Sequence, residues 1–298
     1  MSFGTNMSPS APFSERSSGS PADRSVDSPS DQTRRRVLRA GAGLVGAVSL
    51  AGCVISAEPY TESAERSFDP GDADELVVRT DSGDVTLSAG DGGAVSGTVR
   101  KESRSGEDTL EEVTVEGTVE DGRLTVAPRW PNGNENVTVD LDLSVPDGLA
   151  VVEASSSNGD IEAEGVAGDG TYSSTNGDVA VTGVDGFVTV ESTNGDIDAS
   201  DVGGLDRADT TLGDVAVDVP AIRGDVTVES TNGDVTAAVA AGLSATVTLE
   251  TTNGDASVEG VSMTVESSEE SEIRGTMGEG EHALTVDSTN GDVTLQGL

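Results

Sequence analysis

Apolar and polar residues alternate through the second half of this chain, and a recurring Asn-Gly-Asp phrase interrupts the alternation. In one repeat Val188 and Val190 fall on one side of the pattern, while Thr189 and Glu191 fall on the other. A period of two is typical of a strand with one buried face. Asn194-Gly195 follows, and Asn and Gly tolerate the backbone conformations of a tight corner. Each repeat therefore predicts two short strands joined at an Asn-Gly corner.

The phrase returns at nearly even spacing. Its Gly-Asp pairs are Gly159-Asp160, Gly177-Asp178, Gly195-Asp196, Gly213-Asp214, Gly233-Asp234, Gly254-Asp255 and Gly291-Asp292. The first three steps are 18 residues, the next two are 20 and 21, and the final gap of 37 fits two repeats, with Gly275 to Gly278 in place of the missing phrase. A short fixed period predicts an all-β stacked array, a single-stranded β-solenoid with coils of about 18–21 residues.

Asn-Gly is also a strong hairpin signal, so a meander of antiparallel hairpins is the alternative fold. A hairpin would place Glu191 opposite Asp198, two like charges. The near-identity of the phrases favours the solenoid, because equivalent residues would stack one coil apart at about 4.8 Å. The apolar spacings do not follow a strict six-residue repeat, so the handedness of the solenoid stays open.

The N-terminal part of the folded region, residues 74–150, alternates less regularly and is expected to be an irregular β segment leading into repeats over residues 151–298. Residues 137–161, VTVDLDLSVPDGLAVVEASSSNGDI, carry a Val-Pro-Asp-Gly bend before the first Asn-Gly-Asp. This passage resembles the DUF4097 family, whose members show such a bend before stacked Asn-Gly-Asp repeats. The resemblance covers roughly residues 74–298. It implies the β-repeat fold and an adhesin-like role.

The N-terminal residues are predicted to be an export signal. Thr33 to Arg39, with the pair Arg34 and Arg35, resembles a twin-arginine signal. The apolar stretch that follows is too short to span a membrane and ends in Leu-Ala-Gly-Cys53, which resembles a lipobox. Residues 1–52 are therefore predicted to be a lipoprotein signal with a disordered N-region. Residues 53–73 are predicted to be the lipidated cysteine and a flexible tether.

The chain is strongly acidic, with 55 Asp and Glu against 16 Lys and Arg and a net charge of -39. Molar salt shortens the Debye length to about 3 Å and screens the resulting self-repulsion. An acid-rich composition with a single lysine, Lys101, resembles secreted proteins of salt-loving archaea. This charge disfavours nucleic acid as a partner.

The Asp column of the repeats is the most suggestive polar feature: Asp160, Asp178, Asp196, Asp214, Asp234 and Asp255. Asp side chains commonly accept hydrogen bonds from turn amides, which is the favoured interpretation. A column of carboxylates would also attract cations such as Ca²⁺, although no established calcium-loop pattern is present. Asn136 begins an Asn-Val-Thr sequon for N-glycosylation. His282 is expected to be a surface residue and Trp130 to pack an early bend.

We therefore expect a non-enzymatic structural or adhesion module, lipid-anchored through Cys53 at the outer face of the cell membrane. The alternatives are an envelope sensor that recruits a protein partner and a polysaccharide-active β-helix enzyme. No cofactor is expected. Self-association, or an envelope protein or glycan, is the expected partner besides the membrane. The last strand, near Val293, has no Lys or Pro beyond it. One expectation is an unpaired edge that pairs with another copy or an envelope partner, and the slightly favoured alternative is that the short tail folds back or that nearby acids repel any partner.

Replacing Cys53 with Ser is predicted to release the protein from membranes, because the thioether lipid is the only anchor that the sequence offers. The measurement is the distribution of the protein between the membrane fraction and the supernatant after a high-salt wash. The Arg34→Lys, Arg35→Lys double variant is the control for export, since it should hold the precursor inside the cell. Retention of the Cys53→Ser protein in the washed membranes would show that the lipobox interpretation is wrong.

Overall fold

A computed structural model describes residues 58–131 and 136–298 of the chain. The predicted signal, Cys53 and the first part of the predicted tether lie outside these residues. The strands are β1 (Tyr60–Phe68), β2 (Glu75–Thr80), β3 (Val85–Gly90), β4 (Val95–Ser103), β5 (Thr114–Glu120), β6 (Arg123–Arg129), β7 (Val137–Pro146), β8 (Ala150–Asn158), β9 (Ile161–Glu164), β10 (Gly170–Asn176), β11 (Val179–Thr182), β12 (Phe187–Asn194), β13 (Ile197–Ser200), β14 (Gly204–Leu212), β15 (Val215–Val219), β16 (Val226–Asn232), β17 (Val235–Val239), β18 (Ala245–Asn253), β19 (Ala256–Glu259), β20 (Thr264–Ser268), β21 (Glu272–Met277), β22 (His282–Asn290) and β23 (Val293–Gly297). One short helix, α1 (Glu107–Glu112), lies between β4 and β5.

The strands form two long sheets, and each repeat contributes one strand to each sheet. The 12-stranded sheet has the order β20-β21-β18-β22-β16-β14-β12-β10-β8-β2-β6-β5, and the 11-stranded sheet has the order β1-β4-β7-β3-β9-β11-β13-β15-β17-β23-β19. Successive repeats pair in parallel: Tyr172 of β10 lies opposite Val190 of β12, and Val179 of β11 lies opposite Ile197 of β13. The all-β prediction is confirmed, and the arrangement is solenoid-like. The hairpin meander is wrong, because the two strands of a repeat lie in different sheets.

The core fills the space between the two sheets and consists mainly of small aliphatic side chains, which the period-two alternation places on the inner faces. Tyr172 is the largest side chain that is fully buried in the described residues. Gly170 makes room for its ring, since a Cβ there would lie 2.9 Å from a ring carbon. The hydroxyl of Tyr172 has no hydrogen-bond partner among the residues that the structure describes, and burial raises the pKa of this phenol.

The last two strands do not lie at the end of the stack. β22 pairs in parallel with β16 on one side and β18 on the other, and β23 lies in the same way between β17 and β19. The chain leaves one position empty after β17, forms β18 and β19, and then returns to fill the gap. The expectation of an unpaired edge at the Val293 strand is therefore wrong, because both edges of β23 are hydrogen-bonded.

The 37-residue gap does not contain two equivalent repeats. β20 and β21 form an antiparallel pair, and β21 pairs antiparallel with β18, so that Gly275 lies opposite Val247. The stretch from Gly275 to Gly278 thus belongs to the end of β21 and its turn, and its assignment as a degenerate corner is wrong. The β20–β21 pair instead extends the 12-stranded sheet beyond its last parallel strand.

The strands of the N-terminal part belong to the same two sheets. β2 lies between β8 and β6, and β7 lies between β3 and β4. β1 pairs antiparallel with β4 over its whole length, so Tyr60–Phe68 are not part of a flexible tether as predicted. The sequence concealed this strand because β1 lies at a sheet edge and only Phe68 is buried, which leaves almost no apolar alternation to detect.

Two deletions of 18 residues each should have opposite outcomes. Deleting 176–193 joins Thr175 directly to Asn194. Asn194 is the equivalent of Asn176 one repeat later, so the junction restores the repeat pattern and a shorter folded stack is expected. Deleting 281–298 removes β22 and β23. Strands β16, β17 and β18 each lose one of two neighbours, and β19 loses its only one. This second variant should lose the structure of residues 245–277. Circular dichroism and amide hydrogen exchange measure both effects, and equal damage from the two deletions would contradict the modular stack.

Candidate functional site

The Asn-Gly-Asp corners are packed directly on one another. A Cβ added to Gly177 would lie 2.1 Å from the carbonyl oxygen of Gly159, and one added to Gly195 would lie 2.0 Å from that of Gly177. These separations are far below van der Waals contact, so no side chain larger than hydrogen fits. The glycine of the phrase is therefore required by the close approach of neighbouring backbones.

The predicted Asp column forms a continuous hydrogen-bonded ladder. The backbone N–H of Asp178 donates to Oδ1 of Asp160 at 2.8 Å, and Asp196 donates to Asp178 in the same way. The same bond links the further pairs Asp84–Asp140, Asp160–Asp84, Asp214–Asp196, Asp234–Asp214, Asp292–Asp234 and Asp255–Asp292. One oxygen of each accepting carboxylate thus serves the backbone, as the structural interpretation expects.

The ladder gives no positive support to the proposed cation column. Among the described residues, no group of three or more His, Cys, Asp or Glu side chains is placed to hold a metal ion. The spacing of the Asp residues along the stack puts one carboxylate, not a cluster, at each corner. Cation binding by this column stays a prediction from the sequence alone.

Two further ladders hold the corner. Buried Ser or Thr hydroxyls donate to the glycine carbonyl of the adjacent repeat, as Ser192 does to Gly177 at 2.9 Å. The Asn side chains also bond to one another: Nδ2 of Asn194 donates to Oδ1 of Asn176 at 2.9 Å. This amide ladder is interrupted where Leu212 replaces Asn, and the Leu212 side chain is 48% exposed. Nothing in the corner requires leucine at this position.

The outer face of the 12-stranded sheet carries a row of acids in register: Glu191, Asp209, Glu229, Asp287 and Glu250. The pKa of Glu229 is raised by a hydrogen bond shared with Asp209, by partial burial and by the Asp209 charge. Partial burial and the Glu250 carboxylate raise the pKa of Asp287. Arg207 offsets part of the repulsion, with Nη2 2.8 Å from Asp209 and 3.0 Å from Glu229.

A second arginine spans several repeats at the bend opposite the Asn-Gly-Asp corner. Arg223 makes ion pairs with Asp206 and Asp169 and lies over the ring of Phe187, 4.4 Å from its centroid. The backbone N–H of Phe187 also donates to Asp169, and together with Arg223 it lowers the pKa of that carboxyl. Sequence reasoning missed both arginine clusters. Arg207 and Arg223 could have been noticed in the sequence as isolated basic residues in otherwise acidic repeats.

A cleft of about 630 Å³ lies where β1, β4 and α1 meet. Lys101 lines it with a side chain that is only 7% exposed. Its ammonium group lies 3.1 Å from a carboxylate oxygen of Glu62 and donates to the carbonyl oxygen of Leu110 at 2.9 Å. These bonds tie α1 to β4 and to the edge strand β1, so the only lysine of the chain has a structural role here.

Trp130 lines two clefts, one at the corners of Ser82 and Asn158 and the other on β5 and β6. One, of about 380 Å³, is also lined by Asp81, Ser82, Val137, Ser157 and Asn158. The other, of about 360 Å³, contains Thr118, Thr125, Pro128 and the Arg129–Glu116 ion pair. The indole is half-buried and packs partly against the core, as the sequence predicted for this bend.

The other residues singled out by the sequence are not brought together. Arg34, Arg35 and Cys53 lie outside the described residues. Asn136 is exposed immediately before β7, and His282 begins β22 as a half-buried residue. Nothing in the described structure tests glycosylation of Asn136. The described helices include none long and apolar enough to cross a membrane.

Comparisons with known proteins place the fold. The sequence model of one family, described as Toastrack DUF4097, matches residues 70–296. A search of curated proteins found no match. The similar solved structures include a putative cell adhesion protein from Clostridium sporogenes, with 11% identity, coverage of 80% of this chain and 100% of that chain, and a TM-score of 0.35. A putative adhesin from Parabacteroides distasonis has 14% identity, coverage of 80% and 97%, and a TM-score of 0.37.

Restoring the interrupted amide ladder should stabilise the stack. In Leu212→Asn the new amide can donate to Asn194 and accept from Asn232, and one net hydrogen bond contributes about 1 kcal/mol to the free energy of unfolding. Denaturant unfolding measures the change. Leu212→Ser is the matched control, since it removes the same exposed leucine but its hydroxyl is too short to bridge. Equal shifts in both variants would show that the amide ladder does not contribute.

Proposed function

This chain belongs to the Toastrack DUF4097 family, and we propose that it is a non-enzymatic module of the cell surface, exported and anchored through a lipid on Cys53. In this proposal, a β-solenoid of coils of about 18–21 residues holds a binding surface away from the membrane. Export and anchoring rest on the Arg34-Arg35 signal and the Leu-Ala-Gly-Cys53 sequence. The role is adhesive or scaffolding.

The observation that carries the proposal is the use of the repeated polar side chains. At the corners the side chains of Asp, Asn and Ser or Thr bond to the neighbouring repeat, as those of Asp178, Asn176 and Ser174 do. Leu212 replaces the Asn at one corner. Carboxylates that are equivalent by repetition have the same environment. Hydrolytic catalysis by two carboxylates instead needs two different environments, one for the acid and one for the base or nucleophile. The chemistry of the corners therefore favours a rigid scaffold.

The ends of the stack also favour a module that acts as a single body. The final strands β22 and β23 are locked between earlier repeats, and the β20–β21 pair extends the sheet past the last parallel strand. Such interlocking joins the C-terminal repeats into one cooperative unit. A surface module that bears force between two attachments benefits from this, because a terminal strand with both edges paired cannot peel away alone.

The acidity fits a surface position in concentrated salt. The row formed by Glu191, Asp209, Glu229, Asp287 and Glu250 repeats at the strand spacing of about 4.8 Å, where ionised carboxylates repel one another in dilute buffer. Molar salt screens that repulsion. We therefore expect the folded module to be more stable at high salt than at low salt. At low salt, the raised pKa values of Glu229 and Asp287 mean that the repulsion within this row is relieved as the pH falls and the folded state binds protons.

Cells that produce the full-length chain should attach to surfaces or to one another in high salt, and this attachment should be lost in the Cys53→Ser strain. The reason is that an unanchored module no longer connects the cell to its partner. Attached cells are counted by microscopy, while protease treatment of intact cells confirms exposure of the protein. Equal attachment with and without the anchor would contradict the adhesive role. Release of reducing ends from a polysaccharide would favour the enzyme alternative.

A further inference from the structure

We propose that the cleft lined by Trp130, Asp81 and Ser82 is a binding site for a neutral oligosaccharide. The inference rests on the proposed surface function, and it names the class of ligand that the module would bind. The site consists of the 380 Å³ cleft defined above, within the size range of small-ligand pockets. Its parts are an aromatic face, an unpaired carboxylate and several hydroxyl or amide groups.

The aromatic face is unusual in this chain. Aromatic residues make up only 2% of the sequence, and Trp130 is the single tryptophan. It follows β6 directly and lies between Pro128 and Pro131, which restrict the backbone on both sides. The C–H groups on one face of a pyranose ring pack well against such a π surface, whose face carries partial negative charge. A half-buried, backbone-restricted indole is thus suited to a sugar ring.

The polar groups lie beside the indole because the amide ladder ends here. The strand register places Thr80 opposite Ser156, so Ser82 occupies the corner position that Asn158 occupies in the next repeat. Serine is too short to continue the ladder. Asn158 therefore keeps only the other bond of the series, from Nδ2 to the backbone carbonyl oxygen of Asp81 at 3.2 Å, which Asn176 also makes to Ser157. The space that an asparagine side chain would fill at residue 82 is left to the cleft.

The carboxylate of Asp81 is available to a ligand. Asp81 is exposed, and within the described residues its side chain has no hydrogen bond or ion pair. A carboxylate accepts two hydroxyl hydrogen bonds at once, and bonds to an ionised acceptor are the stronger kind. The hydroxyls of Ser82 and Ser157 can serve as further donors or acceptors. Adjacent hydroxyls of a sugar match this arrangement.

The charge of the protein selects against acidic sugars. The net charge is -39, and the cleft has its own unpaired carboxylate, so a uronic acid or sulfated sugar would be repelled at low salt. A neutral sugar has no such penalty. The second cleft, on Thr118, Thr125 and Pro128, is also lined by Trp130 and can accommodate a further unit of the same chain. Two clefts lined by the same indole favour an oligosaccharide over a single sugar.

The test uses the full-length chain carrying Cys53→Ser, purified in 2 M KCl. Because Trp130 is the only tryptophan, its fluorescence reports directly on the cleft. The probes are four neutral tetrasaccharides of the α-glucan, β-glucan, chitin and mannan types, with tetragalacturonate as the acidic comparison. We expect a saturable change in emission with at least one neutral probe and none with tetragalacturonate at 0.2 M KCl.

Three variants locate the effect by isothermal calorimetry. Trp130→Ala should abolish binding, and Asp81→Asn should weaken it about tenfold through loss of a charged acceptor. Ser82→Asn should block the cleft while extending the amide ladder, so binding falls although stability does not. Leu212→Asn is the matched control, since it extends the ladder at a distant corner and should leave affinity unchanged.

The proposal is overturned if none of the four neutral probes gives a saturable signal. It is also overturned if Ser82→Asn binds as tightly as the parent, because the cleft would then be irrelevant. Ser82→Asn keeps the test decisive should Trp130→Ala fail to fold. If the protein binds no sugar but the cells still attach, the proposed sugar site is rejected and the proposed surface function is not. Sugar binding without attachment would instead reject the proposed surface function.

Discussion

The close stacking of the glycine corners is the constraint on which the rest of this structure depends. A methyl group on Gly195 would lie 2.0 Å from the carbonyl oxygen of Gly177, so each corner must lack a side chain for the next one to pack on it. Once the backbones approach this closely, the Asp, Asn and Ser or Thr of each repeat can reach their partners in the next. Register is then fixed along both sheets, because a slip would break all three ladders together.

Stacking in register forces like side chains into columns, and the consequences differ by residue type. Asn and Ser or Thr can both donate and accept, so their columns are satisfied from within, as between Asn194 and Asn176. Acids cannot donate when ionised, and on the outer sheet face their proximity raises the pKa of Glu229. Arg207 and Arg223 occur where they neutralise several such acids at once. Stacking in register therefore explains both the hydrogen-bonded columns that hold the repeats together and the repulsion between stacked carboxylates.

The two ends of the stack break the repetition and carry its distinctive features. At the C-terminal end, β22 and β23 fill a position that the chain had passed over, so that earlier repeats enclose the last one. At the N-terminal end, Ser82 ends the amide ladder, and the half-buried Trp130 lies beside the space that results. Repetition provides the scaffold. Specific recognition is expected where equivalence between repeats is lost.

The sequence by itself determined the strands of the regular repeats, their Asn-Gly-Asp corners and the structural use of the Asp column, because period-two alternation and glycine at a tight corner have local physical causes. It did not determine which repeat neighbours which, since nearly identical repeats such as those ending at Asn232 and Asn290 present the same ladders to any neighbour. Their order depends on the connections and on the antiparallel β20–β21 pair. Edge strand β1 and the cleft at Trp130 were likewise decided by tertiary structure, because both arise from contacts between segments distant in sequence.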